Sequence, residues 1–167
     1  FPEHLPLLHA AKVLGRPVKW INDRSESFLS DYHGRSSILE GELALDAAGN
    51  FLAVRVTGLG ELGAYVTAYG PAIPTMVVQK NVASLYRTPR LALRIKGVVT
   101  NTVPMTAYRG AGRPEGVYLM ERLVEQAARE LGRDPIALRR QNLIRPEELP
   151  FASACGLSYD SGDFEAV

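Results

Sequence analysis

The longest regular pattern of apolar and polar positions runs over residues 116–131. Val117, Met120, Val124, Ala127, Ala128 and Leu131 recur at spacings of three and four, the stripe of a helix with one buried face. Gly132 supplies a C-terminal stop, and Asp134-Pro135 reads as an N-cap followed by proline at the first position of a second helix reaching about Leu143. Arg145-Pro146 closes it, and residues 146–167 read as loop. At the other end, His4–Leu14 has a helical pattern with Leu5, Leu8, Ala11 and Val13 turned inward and Gly15 as its stop.

Between these helices the period changes to two. Residues 37–46 set Ile38, Leu43 and Leu45 against polar neighbours. Ala47-Ala48-Gly49-Asn50 makes a turn, and residues 51–57 return with Leu52, Val54 and Val56 on one face, which predicts a hairpin. Residues 86–102 form another strand region, where Leu91, Leu93 and Ile95 alternate with a solvated face of Arg90, Arg94 and Lys96. Residues 98–102 are the stretch that enters the loop before the long helix. Residues 16–22 read as a strand, 23–30 as a polar start to a short helix or loop, and 71–84 as a short buried helix interrupted by Pro74. Residues 58–70 are rich in glycine and tyrosine. Such a strand marks either a close ligand approach or, more commonly, packing against a neighbouring element. The fold class is α+β: mixed β-sheets with packed α-helices.

A glycine-rich turn, residues 106–115, joins the last strand to the long helix. Pro114 falls in the helix's first turn, where its missing N–H has no intrahelical partner to lose. Gly110 and Gly112 allow sharp turning and bring main-chain N–H groups close to a ligand. With Arg109 and Arg113 beside a helix N-terminus, they describe a site for an anion. A tight turn with solvated arginines explains the same residues. Neither the dinucleotide fingerprint nor the P-loop fits, because Arg-Pro-Glu-Gly follows Gly112.

Charge adds to the anion reading. Residues 62–114 contain no Asp or Glu but hold Lys80, Arg87, Arg90, Arg94, Lys96, Arg109 and Arg113, in a chain with 19 basic and 18 acidic residues. Acids from elsewhere pairing with these cations would cancel the effect. The near-balanced total argues against a protein built mainly to bind nucleic acid, although a non-catalytic module holding a phosphate-bearing or nucleic-acid partner through residues 80–113 stays as an alternative. The 167 residues, 46% hydrophobic, suffice for one core. Cys155, the single cysteine, excludes an internal disulfide and reads as an inert thiol. His4 and His9 do not share a helix face, so no metal pair is expected. No apolar run is long enough for a membrane helix. The opening at Phe1 and the end after Asp163-Phe164-Glu165-Ala166-Val167 suggest a piece truncated at both ends.

The stretch Ala107-Tyr108-Arg109-Gly110-Ala111-Gly112-Arg113-Pro114-Glu115 carries a resemblance, with Glu121-Arg122-Leu123 and Asp134-Pro135-Ile136-Ala137-Leu138-Arg139-Arg140-Gln141-Asn142-Leu143 in support. Gly15 to Trp20 and Tyr159 to Phe164 add to it. Together they resemble the large subunit of the molybdenum hydroxylases, the xanthine dehydrogenase and aldehyde oxidase family, and most nearly the bacterial carbon-monoxide-dehydrogenase-type subunits.

The resemblance implies that residues 1–167 are part of a molybdopterin-binding domain. It implies an oxidoreductase that hydroxylates an aldehyde or N-heterocyclic carbon using water. The cofactor is molybdenum on molybdopterin, in the cytosine dinucleotide form. Electrons leave through 2Fe–2S clusters on a small subunit and FAD on a medium subunit, in a cytoplasmic oligomer of heterotrimers. The cofactor-binding positions it implies are Tyr108, Arg109, Gly110, Ala111 and Gly112, through their main chain, with Ala111 also facing substrate and Arg113 and Glu115 in ion pairs. No protein side chain holds the metal, and the family's catalytic carboxylate falls outside these residues, so no catalytic residue is expected here and no turnover from these residues alone. Gly110 stands where copper-dependent carbon monoxide oxidisers carry Cys. Ala111 stands where purine oxidisers carry Phe, and Val77 where they place an Arg, which argues against both substrates.

Overall fold

The computed structural model describes residues 3–166. The chain divides into two compact units, Phe1–Tyr32 and His33–Val167.

The first unit holds α1 (His4–Leu14), stopped by Gly15 in the left-handed region, and α2 (Arg24–Ser30). A capping box opens α2: the Asp23 carboxylate accepts from the Glu26 N–H at 2.8 Å, and Glu26 accepts from the Asp23 N–H at 3.1 Å. Two expectations fail here. Residues 16–22 form no strand, and none of the described residues pairs with them in a ladder. The apolar face of α1 is not inward: Leu5 is 75% and Leu8 69% exposed, and none of residues 3–32 is buried. Periodicity reports that a helix has an apolar face; it does not supply the surface that covers it.

The second unit is built on a three-stranded mixed sheet. β1 (Ser37–Leu45) pairs antiparallel with β2 (Phe51–Gly63), and β2 pairs parallel with β3 (Leu91–Val99), in the order β1-β2-β3. The hairpin forms as predicted, with two changes of face. Ala44 pairs with Ala53 but Leu45 pairs with Phe51, so Leu52 is an extra residue on β2. This bulge makes Phe51, Val54 and Val56 the buried set and leaves Leu52 43% exposed. Ile38 lies on the opposite face from Leu43 and Leu45 and is exposed. The strand before the long helix stops at Val99, so residues 100–102, expected within it, are outside the ladder. There the Ala64 N–H donates to the Thr102 carbonyl at 3.0 Å.

The parallel β2–β3 pair needs a crossover, and residues 73–81 supply its helix. A π-helical turn, Ile73–Val77, runs directly into α3 (Val78–Asn81). Pro74 begins this helix rather than interrupting it, because a first-turn proline forfeits no helical bond. It is buried against the sheet at Gly60, where an added Cβ would overlap its ring. Gly63 meets the Val103 carbonyl in the same way. The glycines of residues 58–70 therefore serve close packing of protein on protein.

α4 (Arg113–Leu131) lies on the sheet, Leu119 and Leu123 filling the space over Gly41. Gly116, Met120, Val124, Ala127 and Ala128 form its buried stripe, while Val117 and Leu131 stay exposed. Gly132 ends it in the left-handed region. α5 (Pro135–Asn142) follows, its N-cap Asp134 accepting from the Ala137 N–H at 2.8 Å. Phe51, Val54, Val56, Val82, Tyr86, Met120, Val124 and Leu138 meet in one core. Tyr86 packs edge-on against Phe51 and donates to Glu121 at 2.7 Å; burial, then this bond, raises its phenol above the ordinary value. Within the loop-like residues 146–167 the structure has a 3-10 turn, Pro146–Glu148, and a small hairpin of β4 (Phe151–Ala152) and β5 (Ser158–Tyr159). Cys155 is buried beside the Ser153 hydroxyl at 3.0 Å.

Candidate functional site

Residues 108–112 form a turn at the head of α4 with an unusual backbone. Gly110, Ala111 and Gly112 have φ of 89°, 43° and 95°, three successive residues in the left-handed region. Ala111 is the one that carries a side-chain cost there, on the order of 1 kcal/mol. The turn is closed by the Ala111 N–H donating to the Tyr108 carbonyl at 2.7 Å and the Arg113 N–H donating to Gly110 at 3.1 Å. Arg113 also reaches the Gly110 carbonyl through Nη1 at 3.3 Å. Among the described residues, the N–H groups of Tyr108, Arg109, Gly110 and Gly112 have no partner within the chain. Gly112 caps α4 without a side-chain acceptor; in the first turn the Arg113 and Gly116 N–H groups bond to the Gly110 and Gly112 carbonyls and Pro114 has none to offer. Unpaired main-chain donors beside consecutive residues of positive φ, ahead of a helix N-terminus, are the kind of backbone that suits an anion.

The neighbours fix the nest. A Cβ on Gly112 would overlap the Ile73 carbonyl oxygen and lie 3.0 Å from Val77 Cβ, so the crossover helix packs on the turn from behind. A Cβ on Gly110 would lie 2.8 Å from Pro114 Cδ. Val77 thus meets the turn at Gly112. Ala111 is half-buried, with its own N–H turned into the loop, while Tyr108 and Arg109 are exposed.

Arg35 completes the surround, a residue that no local pattern marks. Its guanidinium donates to the Arg109 carbonyl, pairs with Glu115 at 2.9 Å and stands 5.1 Å from the centre of the Tyr108 ring. Its own φ is 72°. Of the two ion pairs expected at the helix start, Glu115 forms one, with Arg35, whereas Arg113 turns to the Gly110 carbonyl and makes no ion pair among the described residues. Behind Arg35 and Glu115 lies a small pocket, about 10 Å³, bordered also by Ser36, Glu61 and Met105, with room for about one water.

Glu61 ties this region together. The hydroxyls of Ser36, Thr100 and Thr102, in that order of effect, hold its carboxyl below the ordinary value; the two threonines donate at 2.7 Å. A depressed carboxyl stabilises the fold above its unfolded value, near 4.5, and loses that contribution as pH falls through the lower folded value. Urea titrations between pH 3 and 6 should therefore show wild type more stable than Glu61→Gln at pH 6, with the gap closing toward pH 3.

The basic block of residues 80–113 does not act as one unit. Arg87 turns inward to Glu148 at 3.3 Å and to the Gln141 carbonyl, while Arg94 and Lys96 lie on the sheet face that also carries Glu40. Acids from other segments meet part of the block, which weakens it as a nucleic-acid surface.

The described residues thus set a turn with unpaired main-chain N–H groups at the head of the longest helix of an α+β domain. The chain belongs to the molybdopterin cofactor-binding domain family, whose description matches residues 1–143. It is 36% identical over 169 residues to the carbon monoxide dehydrogenase large chain of Hydrogenophaga pseudoflava, covering 100% of this chain and 21% of that one. It is 33% identical over 175 residues to the nicotine 6-hydroxylase large subunit of Paenarthrobacter nicotinovorans, covering 100% and 20%. The crystal structure of quinoline 2-oxidoreductase from Pseudomonas putida 86 superposes with a TM-score of 0.89 at 35% identity, over 95% of this chain and 20% of that one. The chain thus spans about a fifth of the length of these relatives. Among the described residues, no helix is long and apolar enough to cross a membrane.

Proposed function

We propose that these residues form the molybdenum-facing turn of a molybdopterin-dependent hydroxylase acting on an aldehyde or an N-heterocyclic carbon. The single observation that carries this reading is the set of unpaired N–H groups of Arg109, Gly110 and Gly112 in the turn that leads into α4. The residues suit the group: main-chain donors without partners, on a turn that close packing of Gly112 against Ile73 and Val77 holds in place, match an anionic oxo-rich centre. When bound, the cofactor supplies two-electron oxidation of the substrate carbon, with water as the oxygen source.

The chain's own contribution is positional. Tyr108, Arg109, Gly110 and Gly112 offer main-chain donors, and Ala111 presents a methyl group toward substrate. With Gly110 there is no thiolate to hold copper, and with Ala111 and Val77 there is neither an aromatic wall nor a cation to grip a purine. In the assembled enzyme, 2Fe–2S and FAD subunits carry the electrons away; the cofactor takes its cytosine dinucleotide form, and the complex is a cytoplasmic oligomer of heterotrimers.

The test is to produce the full-length protein with its partner subunits, measure molybdenum and pterin, and assay aldehydes, N-heterocycles, purines and carbon monoxide. Stoichiometric molybdenum with turnover confined to the first two classes is expected. A protein free of molybdenum after expression in a cofactor-competent host would overturn the reading.

A further inference from the structure

We infer that Arg35 is a positioning residue for the proposed cofactor turn, aiming the Gly110 N–H at the bound centre. The inference rests on the reading just given and adds a residue 74 positions from the carbonyl it holds.

The argument begins with the peptide plane. In a trans peptide the C=O of one residue and the N–H of the next point in opposite directions. The Arg35 guanidinium donates to the Arg109 carbonyl, so that carbonyl is drawn toward Arg35 and the Gly110 N–H is sent the other way. That N–H is unpaired within the chain. Glycine at φ 89° offers no side-chain resistance to rotation of this peptide, so the turn itself does not select the orientation. Arg35 does.

Three further contacts hold Arg35 in place. Glu115, in the first turn of α4, takes its Nη1 at 2.9 Å, with side-chain exposures of 33% for Arg35 and 13% for Glu115. The Tyr108 ring lies 5.1 Å from the guanidinium carbon, so the side chain grips the turn on both sides of Arg109. A Cβ on Gly34 would lie 2.9 Å from Tyr108 Cβ, so the backbone before Arg35 is pressed against the same turn. Glu115 also neutralises the cation, which leaves Arg35 to act through geometry and not as a charge opposite the cofactor. A lysine has one donor centre and cannot reach both Arg109 and Glu115 with a planar fork.

The experiment uses the full-length enzyme with its partner subunits, comparing wild type with Arg35→Gln, Arg35→Lys and Glu115→Gln. The readouts are molybdenum content, the Mo(V) electron paramagnetic resonance spectrum, kcat and KM. Arg35→Gln is expected to lower kcat per bound molybdenum by about 100-fold, the scale of an ångström-level misplacement in a preorganised site. KM should change little and the Mo(V) spectrum should shift. Arg35→Lys should recover part of the loss, and Glu115→Gln should show a smaller loss of the same kind. If kcat per molybdenum and the spectrum match wild type in Arg35→Gln, the inference fails while the cofactor reading stands. If activity falls only in proportion to molybdenum content or folded protein, the role is structural and the inference again fails. Should Arg35→Gln not fold, Arg35→Lys and Glu115→Gln decide it by the same ratio. A wild-type enzyme without molybdenum overturns both.

Discussion

Gly112→Val should yield a full-length protein without stoichiometric molybdenum. A side chain there collides with the Ile73 carbonyl oxygen and with Val77, and φ of 95° is closed to a β-branched residue. Neither obstacle yields easily: one is backbone, the other belongs to the π-helical turn packed behind the loop. Backbone strain and overpacking together cost about 2–5 kcal/mol. The cheapest relief is for residues 108–112 to swing away from the crossover helix, which scatters the unpaired N–H groups. Metal analysis and circular dichroism separate the outcomes, and a folded variant with full molybdenum would show that the turn is not what holds the centre.

The second large effect is on stability. Asn142, 2% exposed, accepts from the Phe51 N–H at 2.9 Å and donates to the carbonyls of Gly49 and Leu138 at 3.0 and 2.9 Å. One amide at the end of α5 therefore satisfies the turn of the β1–β2 hairpin. Asn142→Leu keeps the volume but leaves a buried N–H and a buried carbonyl without partners. The expected loss is about 2–4 kcal/mol, read from urea unfolding midpoints against wild type. Gln141, which reaches Asn50 at 2.8 Å and the Ala48 carbonyl at 3.1 Å on the exposed side of the same turn, should cost less than about 1 kcal/mol when changed to Ala.

These two residues also mark the boundary of what the sequence discloses. α4 and α5 were legible because their signals are local: Pro114 in the first turn, Gly132 at the stop, Asp134-Pro135 at the next start. The turn at residues 108–112 was legible as a turn for the same reason. The strand assigned to residues 16–22 failed because a strand exists only with a neighbour, and Leu52 leaves the face it was assigned with Val54 and Val56 because a bulge falls on it. Arg35 was invisible. Its partners lie 74 and 80 residues away, and a lone arginine near a predicted strand carries no mark of what it will hold.

The tie between Asn142 and Phe51 has a temporal side. The hairpin emerges from the ribosome 91 residues ahead of the amide that completes its bend. Until α5 is translated, the donor at Phe51 and the acceptor at Gly49 must rely on solvent, so the sheet waits half-finished while its crossover and long helix are made. A later element is thus the latch on an earlier one, and slowing elongation before codon 142 should lengthen the interval in which the nascent hairpin is open to proteases.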